Sequence, residues 1–310
     1  MTTVPSVPGP SVPGTISGAT SKRATRPARR LDIERHKLYG RARWYGHGWS
    51  AFTWVVAIIL FFPVLWMVLT AFKTEGSAYT YPPQIVFHPT LSEFTGVFSG
   101  GIGPPLEHSL FTTLVSTALV LVLALPAAYS LSVRPVKRWR DVMFFVLSTK
   151  MLPVVAAIIP IYIVARNLRL LDNDWSLVIL YTAMNLPIAI WMVRSFLLEV
   201  PLEILDAAKV DGANLFTEVT RVIVPIVVPG IAATALICMI FSWNEFFFAV
   251  NLTATRAGTM PIFLVGFITT EGLYWAKLAA AASLASLPVI LVGWIAQKQL
   301  VRGLSLGAVK

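Results

Sequence analysis

Hydrophobic and polar positions along this chain fall into long blocks, and the block length predicts the elements. A helix needs roughly 20 mainly apolar residues to cross the hydrocarbon of a bilayer. Five stretches meet or approach that length without interruption: 44–72, which holds no Asp, Glu, Lys or Arg, then 108–133, 175–193, 222–243 and 278–297. A sixth, 142–165, is broken only by Lys150. The pattern predicts six membrane-spanning helices, because an isolated span must satisfy every backbone polar group within itself. The expected fold class is therefore all-α integral membrane.

Composition strengthens this reading. Of the 310 residues, 56% are hydrophobic and 13% charged, and the mean hydropathy is +0.72, outside the range of a water-soluble domain. The single cysteine, Cys238, lies inside an apolar run and reads as a small buried hydrophobe. It supports neither a disulfide framework nor a cysteine-based metal site, and no His/Cys metal cluster is expected.

Charge orients the spans. Lys and Arg number nine in the N-terminal arm, four in 134–140, three in 194–221 and three from Lys298 onward. The opposite side holds Lys73, Arg166, Arg169 and Arg256, while Lys150 and Lys277 fall within or at the edge of spans. The positive-inside rule then places both termini in the cytoplasm. The net charge of +10 reports topology and attraction to anionic headgroups, so no nucleic-acid partner is needed to explain it.

The expected organisation has three parts. Residues 1–43 form a disordered, Pro/Gly/Ser/Thr-rich stretch followed by a basic cytoplasmic arm; 44–297 form the six-span domain; 298–310 form a cytoplasmic tail. A signal peptide is not expected, since the first apolar run starts too far along and is too long for an h-region.

One segment interrupts the apolar pattern on the cytoplasmic side, between spans four and five: "LDAAKVDGANLF", 205–216, within a loop over 195–225. Pro201 suits a helix start. Gly212 can take the positive φ that ends that helix and turns the chain. Beyond it Leu215, Phe216, Val219, Val222 and Ile223 repeat at helical spacing, with Asn214, Thr217, Glu218 and Arg221 on the other side. Two short helices joined at a glycine, apolar on one face and charged on the other, suit a protein partner.

The continuation "LDAAKVDGANLFTEVTRVIVPIVVP" resembles the EAA loop of ABC-importer permeases, with Asp206, Ala207, Ala208, Gly212 and Pro225 at the matching positions. Asp206 replaces the usual glutamate. The likeness runs through most of the chain from Trp44, and "SWNEFFFAVNLT" and the tail "QLVRGLSLGAVK" are similar to segments of carbohydrate importers with a maltose-type second permease.

This resemblance implies a bacterial plasma (inner) membrane location and three kinds of protein partner. They are a second permease in a heterodimer, a dimer of soluble ATPases and an extracellular solute-binding protein. It implies that the loop docks in a cleft of the ATPase. Leu215 and Phe216 would supply apolar contact, and Asp206, Lys209 and Glu218 would meet opposite charges on the partner, with Asp211 also among the coupling residues.

No G-x-x-x-x-G-K-[ST] phosphate loop occurs, so ATP and its magnesium ion are expected in the partner, with no cofactor bound by this chain and no enzyme activity of its own. A literal G-x-S-x-G at 303–307 lacks the strand–turn–helix setting of a nucleophile elbow and reads as chance.

Polar groups at membrane depth are costly and tend to face a pathway or a partner. Asn185, Asn244 and Glu245 are the candidates for the pathway, with inter-helix contacts as the alternative, which is preferred for Lys150 and Lys277. Trp175, Trp191, Trp275 and Trp294 read as interfacial belt or packing. The stretch 266–289 resembles permeases for polyols such as mannitol and sorbitol. Disaccharides, other oligosaccharides and glycerol phosphates remain open, as do a secondary transporter and a membrane scaffold.

Overall fold

In the computed structural model, residues 28–306 are described apart from 135 and 271, with side chains described over 48–297 apart from the same two. The disorder expected at the start of the chain and the last four residues of the tail lie outside the described residues. The helices are α1 (Ala28–Ala71), α2 (Glu75–Ala78), α3 (Ser92–Ser99), α4 (Gly103–Ser132), α5 (Trp139–Ser148), α6 (Val154–Asn167), α7 (Asp174–Leu197), α8 (Leu202–Val210), α9 (Leu215–Thr217), α10 (Val224–Trp243), α11 (Phe247–Leu252), α12 (Met260–Val265) and α13 (Trp275–Leu306). A hairpin pairs β1 (Ile268–Thr269) with β2 (Gly272–Leu273), antiparallel, Ile268 opposite Leu273.

Five helices among the described residues are long and apolar enough to span: 48–71, 103–132, 174–197, 215–243 and 275–297. Each contains or nearly coincides with an apolar block read from the sequence. The third predicted span differs. Its residues form α5, a 3₁₀ turn at Thr149–Met151 and α6, and the two arms meet at 91°. The cause is Pro153: a proline disfavours the helical conformation of the residue before it, and Leu152 is extended, with ψ 125°. Among the described residues there are therefore five continuous candidate spans and one bent pair.

Two further boundaries move. The basic arm is helical from Ala28 and continuous with the first span, and the tail continues α13 as far as Leu306.

The chain divides into two units at Pro63. In the first, α1 is apolar on every side from Gly48 onward, the composition of a helix that faces hydrocarbon. In the second, α4 packs along α7, and α10 lies against both. The buried line of α4 is mostly small residues at helical spacing, Ser109, Thr112 and Thr113, Ser116 and Thr117, Ala124 and Ala128, with Val120 among them and the larger Tyr129 and Leu131 at its end. Small side chains let two backbones approach closely, which is how helices associate where no hydrophobic force separates protein from lipid. At the crossing of α7 and α10, a Cβ built on Gly230 would fall onto the ring of Phe196.

Loops at the Asp172 end are fixed by carboxylates. Asp172 takes φ 54° and accepts the backbone N–H groups of Ala254, Thr255, Arg256 and Ala257 at 2.8–3.3 Å, while its own N–H donates to Leu252 O at 2.8 Å. Partial burial pushes this carboxyl upward, but the four donors outweigh it and hold it below the ordinary aspartate value. Glu75 similarly accepts the first N–H groups of α13, from Ala276 at 3.0 Å and Lys277 at 3.2 Å. His108 Nδ1 lies 2.9 Å from Asp174 Oδ2, joining the starts of α4 and α7. Lys73, 2% exposed, donates to Gln84 O at 2.7 Å and sits over Trp66 and Phe87.

Two outcomes test this packing. Gly230→Leu overpacks the α7–α10 crossing at a cost of about 1–3 kcal/mol, so the unfolding midpoint in detergent falls, and adding Phe196→Ala recovers part of the loss. Asp172→Asn frees the 254–257 loop, and tryptic cleavage after Arg256 accelerates about five- to tenfold, the equivalent of roughly 1–1.5 kcal/mol. Because the folded state depresses the Asp172 pKa, its stabilisation is complete above the ordinary aspartate value and is lost as pH falls through the folded value. The wild type and Asp172→Asn therefore converge in strongly acid solution.

Candidate functional site

The polar interruption forms a knob at the end of the helices opposite Asp172. Pro201 is the extended N-cap of α8, one residue before the helix proper. Gly212 has φ 78°, Gly212 N–H donates to Lys209 O at 3.0 Å and Ala213 N–H to Ala208 O at 2.9 Å. This pair of bonds around a left-handed residue is a Schellman C-cap. A Cβ at Gly212 would meet nothing within 4 Å, so the demand for glycine comes from the backbone angle alone. Asn214 then caps the returning helix, its Oδ1 accepting Thr217 N–H at 2.9 Å.

That returning helix is continuous with the fifth predicted span over 215–243. The sequence reading of two short helices joined at a glycine is corrected to one short helix and the first turns of a span.

The knob has an inner and an outer surface. Leu205 and Ala208 are buried and anchor α8. Asp206, Ala207, Lys209, Asp211, Gly212, Leu215 and Phe216 are exposed, as are Leu202 and Ile204. Two large apolar residues stand furthest out, Val210 at 88% and Phe216 at 77% exposure. Asp206 and Lys209 bond each other at 2.9 Å on the surface, a pair of small energetic value. Pro225 is exposed at the start of α10, directly after a π-helical turn over Glu218–Ile223.

Glu218 was expected on the charged face turned towards a partner. It is instead 0% exposed. Its Oε1 accepts the Tyr129 hydroxyl at 2.7 Å and its Oε2 accepts Arg134 Nη2 at 3.1 Å. The π turn explains the miss. Buried positions run 218, 223, 227, 230, 234 and 238, and the five-residue first step carries one residue more than an α-helix allows. Reading the segment at 3.6 residues per turn rotates Glu218 outward. Neither Tyr129 nor Arg134 was singled out by sequence; the available signal was that Glu218 and Arg221 are the only charged residues in 215–243.

The structure separates the three pathway candidates. Asn185 is 0% exposed between α7 and α10, and its Nδ2 donates to Ser242 Oγ at 2.9 Å and Cys238 O at 3.4 Å. Ser242 Oγ lies 3.3 Å from Ser116 Oγ, so three helices share this thread. Glu245 accepts the N–H groups of Phe248 and Ala249 at 2.9–3.3 Å and caps α11. Asn244 is exposed and lines an open cavity of about 310 Å³ with Trp243, Met260, Leu264, Ser286 and Ile290. Lys150, at the elbow of the bent pair, donates to Met184 O at 2.9 Å. Lys277 lays its stem against Gly96. Among the described residues no three His, Cys, Asp or Glu side chains converge to hold a metal ion.

Comparison with known proteins places these features. Residues 120–306 match the family model described as binding-protein-dependent transport system inner membrane component. A probable ABC transporter permease of Sinorhizobium fredii is 38% identical over 84% of this chain and 95% of its own. The diacetylchitobiose uptake system permease of Streptomyces coelicolor is 33% identical over 86% of this chain and 98% of its own. The trehalose transport system permease of Mycobacterium tuberculosis is 29% identical over 84% and 97%.

Among solved structures, the bacterial ABC transporter that imports the acidic polysaccharide alginate has a chain of the same fold, with TM-score 0.65 and 21% identity over 90% of this chain and all of that one. None of these relatives is named for a polyol. The chain belongs to the binding-protein-dependent inner membrane transport components, as a multi-pass permease subunit related to those of sugar ABC transporters.

Proposed function

We propose that this chain is one of two permease subunits in an ATP-driven importer for a disaccharide or short oligosaccharide, with its knob seated in a cleft of a cytoplasmic ATPase. The observation that carries the proposal is the knob's two-sidedness: Val210, Leu215 and Phe216 project from a backbone fixed by the Gly212 cap, while Leu205 ties it to the helix core. Exposed aromatic and aliphatic groups on a rigid support are the anchors that a protein cleft buries. The charge distribution supports a cytoplasmic knob, since it lies within the basic segment 194–221 and beside the basic segment 134–140, whose Arg134 bonds Glu218.

The substrate class follows the relatives named for diacetylchitobiose and trehalose. Asn244, open to its cavity, is the pathway candidate best placed to meet a solute hydroxyl. Asn185 and Glu245 act as inter-helix and capping groups on this reading. ATP and its magnesium ion bind the ATPase pair, an external binding protein delivers the sugar, and both termini of this chain are cytoplasmic.

Reconstitution with the encoded neighbours tests the whole reading. ATP hydrolysis should rise when the binding protein is given trehalose, maltose or diacetylchitobiose, and should stay basal with mannitol or sorbitol. Failure of any ATPase to associate would overturn the importer assignment. Gly212→Val imposes a left-handed penalty of about 1–2 kcal/mol; uptake per ATP should drop in that variant while the complex still assembles, and unchanged uptake would remove Gly212 from coupling.

A further inference from the structure

From the buried contacts behind the knob we infer that Glu218, Tyr129 and Arg134 form a directional joint that fixes the register between the knob and the second predicted span, α4. This rests on the reading of the knob as the ATPase docking element. It concerns a different surface, the inner side of the knob, where Glu218 is buried against α4.

Three observations carry the inference. First, Glu218 is a carboxylate without solvent exposure, and the other buried residue of its π turn, Ile223, is apolar. A buried charge is costly unless each oxygen is satisfied. Here both are, by donors from one other element: the Tyr129 hydroxyl at 2.7 Å from α4 and the Arg134 guanidinium at 3.1 Å just beyond its end. Second, Glu218 opens the π turn, and Asn214, which caps the returning helix, accepts the Glu218 N–H at 2.8 Å. The backbone that carries Glu218 is thus tied to the cap that follows Gly212. Third, one apolar cluster contains Tyr129, Leu131, Leu197, Val200, Leu205, Ile223 and Val227. The anchor of α8 and Tyr129 therefore share a single packed core, while Arg134 closes it from a half-exposed position.

Apolar packing alone is non-directional. A displaced knob could slide over α4 and re-pack, so motion would dissipate at the contact. Two charge-assisted hydrogen bonds to a single carboxylate admit only a narrow geometry. They convert a push on the knob into a push on α4, and α4 carries it to α7, against which it packs. The π turn is what makes this possible, since the extra residue brings Glu218 onto the buried line. Glu218, Tyr129 and Arg134 are positioning residues; none of them meets the solute.

The test uses the reconstituted importer, with trehalose, maltose and diacetylchitobiose as uptake probes, and reads sugar imported per ATP hydrolysed for each complex. Glu218→Gln keeps the shape and an acceptor for Tyr129 but removes the charge; Tyr129→Phe removes the hydroxyl alone. Either variant should lower the import-to-hydrolysis ratio by about tenfold, the equivalent of one charge-assisted hydrogen bond, with hydrolysis per complex retained. The double variant should be no worse than the poorer single variant, because both break one joint.

A purely structural role predicts fewer assembled complexes with an unchanged ratio in those that form. That result, seen while the wild type couples normally, overturns the joint and leaves the importer reading standing. Absence of coupling in the wild type overturns both. If Glu218→Gln assembles too poorly to measure, Tyr129→Phe, which alters no charge, decides alone.

Discussion

Inside a bilayer no water is available to satisfy a backbone N–H or C=O, and the rest of this structure depends on that constraint. It makes every crossing a helix, and it also decides what the rare polar side chains do. Lys150 donates to Met184 O, Asn185 to Cys238 O and Arg194 to Leu131 O, each time to a carbonyl on another helix. Polar groups that the sequence marks as expensive serve here as cross-links between helices, Lys150 beside the elbow at Pro153. Expense alone therefore does not identify a transport pathway. Of the three residues weighed only Asn244 is exposed and lines a cavity.

Much of the fold was legible because the governing signal is one-dimensional. Block length reports a span whether or not its neighbours are known, and the starts and ends of α4, α7 and α10 shift by only a few residues from the blocks, apart from the extra turns that α10 gains through α9. The glycine cap of α8 was legible for a similar local reason: a helix stop at Gly212 needs only the left-handed backbone, and nothing else contacts the position.

What the sequence did not disclose depended on phase or on distant partners. One extra residue in the π turn moved Glu218 from the outer face to the core. One proline turned a continuous apolar block into an elbow of 91°. The carboxylate clamp of Asp172 joins positions 82 to 85 residues apart, and nothing in either local stretch announces the other. Substrate identity failed differently. The likeness of 266–289 to polyol permeases covers a segment that includes the exposed β1–β2 hairpin, and an exposed hairpin is where relatives can diverge without disturbing the helix packing.

The two surfaces of the knob set opposite physical requirements, and the structure meets them with different chemistry. On the proposed function the outer surface makes and breaks contact with a partner, which favours apolar groups, whose attraction is non-directional and tolerant of small rearrangements. Val210 and Phe216 fit that need. On the same reading the inner surface holds its arrangement, so that movement at the knob reaches the spans. There the packing of Leu205 is reinforced by the paired carboxylate of Glu218. A buried carboxylate is a poor source of net stability even when paired, so the presence of Glu218 behind the knob is better understood as a device for specifying one arrangement of helices over its near neighbours.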